Sequence, residues 1–198
     1  AIILGVILGL FGTWILFSYT NLLALLIAIL GFLIYVFPYS FGKYRTSYGT
    51  LIGSIAGAAP PLVGYCAVTN QFDLGAVLLF LIVMLWQMPH FYAIAIYRFH
   101  DYNRAGVPVL PVKQGMRTTK MHMVFYTAAF IIAALSLTLL NFTGYVYFAT
   151  AAILGLFWLW QCFKGFKCQN DAVWARKVFL FSLVVITGLC ITMALDVL

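Results

Sequence analysis

The chain has no glutamate and only four aspartates, Asp73, Asp101, Asp171 and Asp196, among 198 residues. Its four cysteines form no CxxC pair, and no histidine stands at zinc spacing from them, which argues against a disulfide framework or a structural zinc site. A glycine-rich phosphate loop, a Ser-His-Asp order and an HExxH string are all missing, so the familiar nucleotide, triad and zinc-protease chemistries have no foothold. Only 8% of residues are charged while 65% are hydrophobic, which excludes a soluble domain because that much apolar surface could not be covered. What is present is a set of long apolar runs. They lack the two-residue alternation of barrel strands, and a backbone in lipid must satisfy its own hydrogen bonds, so the expected class is an all-α integral membrane protein.

Seven runs approach the roughly 20 residues that a membrane-crossing helix needs. They lie near 1–17, 20–37, 49–68, 75–97, 122–140, 144–163 and 177–196, which predicts a polytopic helical bundle with residues 1–198 as a single domain. No linker or low-complexity segment interrupts them. Ala1 stands inside an apolar run without an initiator Met or a signal-peptide n-region, so the chain is expected to be N-terminally truncated.

All eleven basic residues fall in three alternate loops: Lys43 and Arg45; Arg98, Arg104, Lys113, Arg117 and Lys120; Lys164, Lys167, Arg176 and Lys177. The positive-inside rule places these loops in the cytoplasm, and topology with anionic lipid accounts for the net charge of +7 without a nucleic acid partner. Gly49, Gly53 and Gly57 recur every four residues, a pattern that permits close packing between helices. Pro60, Pro61 and Pro89 remove amide donors inside apolar runs, and broken helices at membrane depth often line a cavity.

The segment from Trp86 to Gly115, WQMPHFYAIAIYRFHDYNRAGVPVLPVKQG, holds the densest chemistry. If its helix continues past Tyr97, then His90, Ile94, Tyr97, Asp101 and Arg104 share one face that descends to the membrane surface. Asp101 is then either a carboxylate ligand for a hard cation such as Mg²⁺, held together with substrate phosphates, or a surface partner of Arg98 or Arg104; spacing leaves both open. The basic groups around it, Lys43, Arg45, Arg98, Arg104, Lys113, Arg117 and Lys120, form a set suited to a diphosphate. His90 could ligate iron, carry a proton or satisfy a freed carbonyl. Asp171 reads as a solvated loop acid.

RTSYGTLIGSIAGAAPPLVGYCAVT (Arg45–Thr69), WQMPHFYAIAIYRFHDYNRAGVPVLPV (Trp86–Val112) and WARKVFLFSLVVIT (Trp174–Thr187) resemble the haem-farnesylating branch of the intramembrane prenyltransferases, relatives of the 4-hydroxybenzoate polyprenyltransferases. The PHF and DYxxAGxPxLPV strings distinguish this branch from quinone-pathway aromatic prenyltransferases. The resemblance implies nine helices in the full protein, of which seven lie here, around a cavity open to lipid. It implies farnesyl transfer from farnesyl diphosphate to a vinyl group of haem B to give haem O, assisted by Mg²⁺, in a cell inner membrane. Haem A synthase or terminal oxidase subunits are the implied protein partners. Carried over by motif, Asp101 matches the acid of the second conserved motif and would take Mg²⁺, with Tyr97 and Arg98 beside it as catalytic residues. His90, Arg45, Lys43, Arg104 and Lys113 would bind substrate. Ala105 stands where many relatives have a second Asp, and the first Asp-rich motif, NxxxDxxxD, is expected to precede Ala1. A small-molecule transporter is the alternative of a different class, but it would need a polar path across the bilayer, and the non-cytoplasmic half offers only Asp73 and Asp196.

Overall fold

The computed structural model describes residues 2–196, all of them helix or short connection with no strand among them. The chain opens with α1 (Ile2–Tyr19) and α2 (Leu22–Ile34), the latter continued by a π turn at Tyr35–Tyr39 and a short α3 (Ser40–Gly42). Then come α4 (Gly49–Gly57), α5 (Ala59–Thr69), α6 (Leu74–Tyr97), α7 (Phe99–Arg104) and α8 (Leu110–Gln114). The last three are α9 (Met116–Leu139), α10 (Tyr145–Lys164) and α11 (Asp171–Leu195), with a 3₁₀ turn at Gly165–Lys167 between the last two. Among the described residues six segments are long and apolar enough to cross a membrane, and α1 is a shorter apolar helix, so this is a multi-pass membrane protein. The first residue of the expected span 1–17, Ala1, lies outside the described residues.

α6 is the central helix. It packs on α9 and α11, which with α10 form a four-helix set, while α4 and α5 lie against another side of it and α2 packs on them. The larger core runs through the four-helix set and contains Met88, Ile96, Phe130, Tyr147, Trp158 and Val185. A smaller one joins α2, α5 and α6 through Ala24, Leu62, Cys66 and Ala76. Small residues set these distances: a Cβ on Gly31 would stand 2.5 Å from that of Ala59, and one on Gly155 would stand 2.7 Å from Ile131.

Several boundaries differ from the sequence expectation, each for a physical reason. The span expected at 49–68 is two helices, because Pro60 and Pro61 sit in the first turn of α5, where a missing amide costs nothing, and the chain steps at Ala58. Pro89 leaves α6 unbroken. α9 and α11 each begin six residues before the apolar run, at Met116 and Asp171 instead of 122 and 177, since their first turns are polar. The helix carrying His90 ends at Tyr97: Arg98 has φ −101° and ψ 23°, so the shared face from His90 to Arg104 is broken there.

Polar ties hold the ends. At one end the Asn21 side-chain amide donates to the Cys66 carbonyl at 2.8 Å, and Asp196 accepts from the amide of Tyr147 at 2.8 Å. Asp73 caps α6 by accepting from the amide of Ala76 at 3.0 Å and from the Tyr65 hydroxyl at 2.9 Å. The Ala76 bond is the main cause that holds the Asp73 carboxyl below the ordinary aspartate range. A depressed carboxyl stabilises the fold above its unfolded-state pKa and loses that contribution as pH falls through the folded-state value. Asp73→Ala is therefore expected to cost about 1 kcal/mol at neutral pH. That deficit should shrink as the medium is acidified below the aspartate range, measured by thermal unfolding of the detergent-solubilised protein.

The basic loops come together at the other end. Lys120, at the start of α9, donates to Asp171 Oδ1 at 2.5 Å and to the Gly165 carbonyl at 2.8 Å, tying the second basic loop to the third. Lys120 is thus a buried structural cation and Asp171 its partner, not a diphosphate contact and a solvated loop acid.

Candidate active site

A cavity of about 950 Å³ lies between α2 with its π turn, α4, α5 and α6, and its mouth is formed by the first two basic loops. One wall is the glycine stripe of α4. Gly53 and Gly57 let side chains of the neighbouring π turn and α6 approach, as the glycine spacing predicts, and Gly49 lets in the backbone of the basic loop. A Cβ would stand 2.9 Å from the Lys43 backbone at Gly49, 2.8 Å from the Tyr39 ring at Gly53, and would collide with the Gln87 amide at Gly57. The lining next to it is aromatic. The π turn carries Tyr35 and Tyr39 with their rings stacked at 5.2 Å, and α6 adds Phe91. The wide π turn accommodates Pro38, and Ser40 Oγ donates to the Tyr35 carbonyl at 3.2 Å. Gln87 is the one buried amide of this lining: its Nε2 donates to the carbonyls of Ser54 (3.3 Å) and Val83 (3.2 Å), which directs Oε1 toward Gly57.

The mouth carries the charge. Lys43 lines it, with its ammonium 4.8 Å from the Tyr44 ring centroid and 5.9 Å from that of Tyr39. Contact with the Tyr44 phenol raises Lys43 above the ordinary lysine range, so it is fully protonated at neutral pH. Across from it, Tyr102 of α7 and Val107–Val109 complete the rim. Asp101, the neighbour of Tyr102, is exposed and belongs to a chain of contacts. Arg98 donates through Nε to the Tyr97 hydroxyl at 2.8 Å and through a terminal nitrogen to Asp101 Oδ2 at 3.1 Å, with its guanidinium 4.9 Å from the Tyr97 ring. The Asp101 carboxylate is the first cause holding Arg98 above the usual arginine range. The structure therefore brings Tyr97, Arg98 and Asp101 together, but beside the cavity: none of the three lines it, and the Tyr97 ring lies 6.5 Å from that of Phe179 on α11, while Lys43 and Tyr102 belong to the rim. Arg45, Arg104 and Lys113 are exposed on the basic loops and have no carboxylate partner among the described residues.

His90 faces elsewhere. It is buried between α6 and α11, stacked on Trp86 at 4.6 Å and beside Phe179 at 4.9 Å, and does not line the cavity. Its Nδ1 lies 2.7 Å from Ser182 Oγ. Ser182 gives its single proton to the Phe179 carbonyl at 2.6 Å, so Nδ1 must be the donor to Oγ, and Nε2 keeps its lone pair.

Among the described residues no group of three or more His, Cys, Asp or Glu could hold a metal ion. Asp101 still fits one role. Its Oδ1 accepts from no donor among the described residues, and Mg²⁺ is commonly held by one or two carboxylates with substrate phosphates and water. The residues that sequence reasoning missed are the lining itself: Tyr35, Tyr39, Gln87, Phe91 and Tyr102. An amide in an otherwise apolar helix was the available signal for Gln87.

The sequence model of the UbiA prenyltransferase family matches residues 1–184. The chain is 54% identical over 193 residues to the protoheme IX farnesyltransferase of Chromohalobacter salexigens, covering 97% of this chain and 65% of that protein. It is 51% identical over 197 residues to the enzyme of that name from Yersinia pseudotuberculosis, covering 99% of this chain and 67% of that protein. It thus spans about two thirds of the length of these curated relatives. A solved structure described in work on digeranylgeranylglyceryl phosphate synthase in membranes superposes with a TM-score of 0.78. It is 20% identical and covers 90% of this chain and 63% of that one, a likeness of fold alone.

Proposed function

The chain belongs to the UbiA prenyltransferase family, and we propose that it works in a membrane enzyme transferring farnesyl from farnesyl diphosphate to a vinyl group of haem B, making haem O. The observation that carries this reading is a cavity walled by glycines and aromatics whose mouth holds Lys43 and Tyr102, with the Tyr97–Arg98–Asp101 chain next to Tyr102 in sequence. Its volume, about 950 Å³, is at the upper end of the roughly 300–1,000 Å³ usual for small-molecule sites. The relatives at 54% and 51% identity carry that enzyme's name.

The chemistry asks for what this arrangement can give. The C1–O bond of farnesyl diphosphate breaks and the electron pair leaves with diphosphate. The allylic cation is attacked by the vinyl carbon of haem B, and water adds to the resulting benzylic-type cation and loses a proton to give the hydroxyethylfarnesyl group. A carbocation survives only where water is scarce, which suits the apolar walls, and its faces are well served by the rings of Tyr35, Tyr39 and Phe91. The leaving group needs fixed positive charge. Lys43 and Arg98 would hold the diphosphate, with Arg45, Arg104 and Lys113 adding to the field of the basic loops. Tyr97 orients Arg98 through its hydroxyl. Asp101 would hold Mg²⁺, which would supply positive charge beside the diphosphate. His90 lies outside this cavity, buried between α6 and α11, and takes no part in this arrangement. The basic loops would face the cytoplasm of a cell whose inner membrane carries the protein, and haem A synthase or a terminal oxidase subunit would receive the product.

Membranes containing the protein, supplied with haem B, farnesyl diphosphate and Mg²⁺, should produce haem O, read by chromatography. Product formed from 4-hydroxybenzoate in place of haem B, with none from haem B, would overturn the acceptor assignment.

A further inference from the structure

A second groove, of about 870 Å³, lies between α10 and α11 and shares no residue with the first cavity. Its two sides repeat one pattern. On α10 Lys164 is followed backward along the helix by Gln161, Trp160 and Phe157; on α11 Lys177 is followed forward by Leu180, Phe181 and Val184. The steps are three, one and three residues on both, so each helix presents one face, and antiparallel packing sets both lysines at the same end. From lysine to last apolar residue is seven positions on each helix, a trough about 10 Å long at 1.5 Å per residue. Its floor is the ring pair Phe157–Phe181 at 4.8 Å, and Trp160, Leu180 and Val184 are half exposed along it. Trp174 closes the head, donating from Nε1 to the Gln161 carbonyl at 2.8 Å and seated against Gly165.

Charge gathers at that head without a counter-ion. Lys164 holds its ammonium 3.4 Å from the Trp160 ring centroid, and Lys167 and Lys177 line the same groove. Among the described residues none of these three pairs with a carboxylate, because the nearby acid, Asp171, is bound to Lys120. Topology accounts for lysines in this loop; the structure adds that three of them line one groove with an apolar trough below and, among the described residues, no acid paired with them. A molecule with a phosphate and an acyl chain answers both ends at once. We propose that the α10–α11 groove binds an anionic phospholipid, its acyl chain along Phe157, Phe181 and Val184 and its phosphodiester among Lys164, Lys167 and Lys177. The site is independent of the prenyl-transfer reading and rests only on the protein's being embedded in a bilayer.

Native mass spectrometry of the purified full-length protein in detergent, with phosphatidylglycerol and phosphatidylcholine offered at equal concentration, tests this. Phosphatidylglycerol adducts should exceed phosphatidylcholine adducts at least tenfold. Lys164→Gln with Lys177→Gln should abolish that preference, and Val184→Trp, which fills the trough and keeps every lysine, should cut retention of phosphatidylglycerol at least fivefold. Arg176→Gln removes a cation from the same loop but outside the groove, and should leave both readings unchanged. Equal retention of the two lipids by the wild type overturns the proposal whether or not any variant folds. So does an effect of Arg176→Gln equal to that of the lysine pair, which would mean bulk surface charge. The absence of any adduct, with the groove covered by protein, overturns it as well.

Discussion

Asp101→Ala is expected to remove haem O formation while leaving the protein folded. The fold has little invested in this side chain. It is exposed, it sits on a six-residue helix, and its contact is the ion pair with Arg98. Exposed pairs of this kind contribute roughly 0–1 kcal/mol. Its chemical position is different, because Asp101 is the only acid in the two basic loops that frame the cavity mouth. Losing a group that stabilises developing charge costs roughly 10²–10³ in rate, so product should fall at least about 100-fold. Asp101→Asn separates two roles. It keeps the shape and a hydrogen bond to Arg98 but removes the charge, and it should be as inactive as the alanine variant. Chromatographic detection of wild-type levels of haem O from Asp101→Ala would remove Asp101 from the site; an active Asn variant would reduce it to orienting Arg98.

The largest loss of stability is expected from Asp171→Ala. Lys120 is buried, and its ammonium has two oxygen partners, Asp171 Oδ1 and the Gly165 carbonyl. Removing the carboxylate strands a cation in a poorly solvated place, beside the Trp174 ring at 5.3 Å. Breaking a buried pair from one side typically costs about 3–5 kcal/mol. The Asp171 side chain is 32% exposed, so a value of roughly 2–4 kcal/mol is appropriate here. Lys120→Met should cost less, since the remaining carboxylate can reach water and still accepts from Cys168 Sγ at 2.9 Å. The double variant Lys120→Met/Asp171→Ala should recover much of the loss, because no unpaired charge remains. Unfolding midpoints of the four proteins in one detergent measure this. A double variant as unstable as the sum of the singles would show that the two residues act separately.

Helices were easier to read from the sequence than their ends. Apolar length alone placed the crossings, because a bilayer sets that length. The starts of α9 and α11 were missed because MRTTK and DAVWARK look like loop when hydropathy is the only guide. Asn170, whose side chain accepts from the amides of Ala172 and Val173, was the cap that could have marked the second start. The break at Arg98 had no local signal, since nothing in IYRFHD disfavours a helix. Of the site, the Arg98–Asp101 neighbourhood was legible from spacing. The cavity was not: its wall depends on which groups meet Gly53 and Gly57, and Tyr39 and Gln87 come from helices distant in sequence. The burial of Lys120 was hidden for the same reason, as its partner lies 51 residues away.

The seam between α6 and α11 has a consequence for how the protein is made. Trp86 donates to the Ser182 carbonyl and His90 to the Ser182 hydroxyl, across 96 and 92 residues of chain. At synthesis rates of roughly 5–20 residues per second, α6 enters the membrane about 5–20 seconds before α11 exists. During that interval an indole and an imidazole stand in hydrocarbon without their serine. Among the described residues, the central helix of the bundle is therefore the one that waits longest for a polar partner, and those two side chains need shelter from the lipid until α11 arrives.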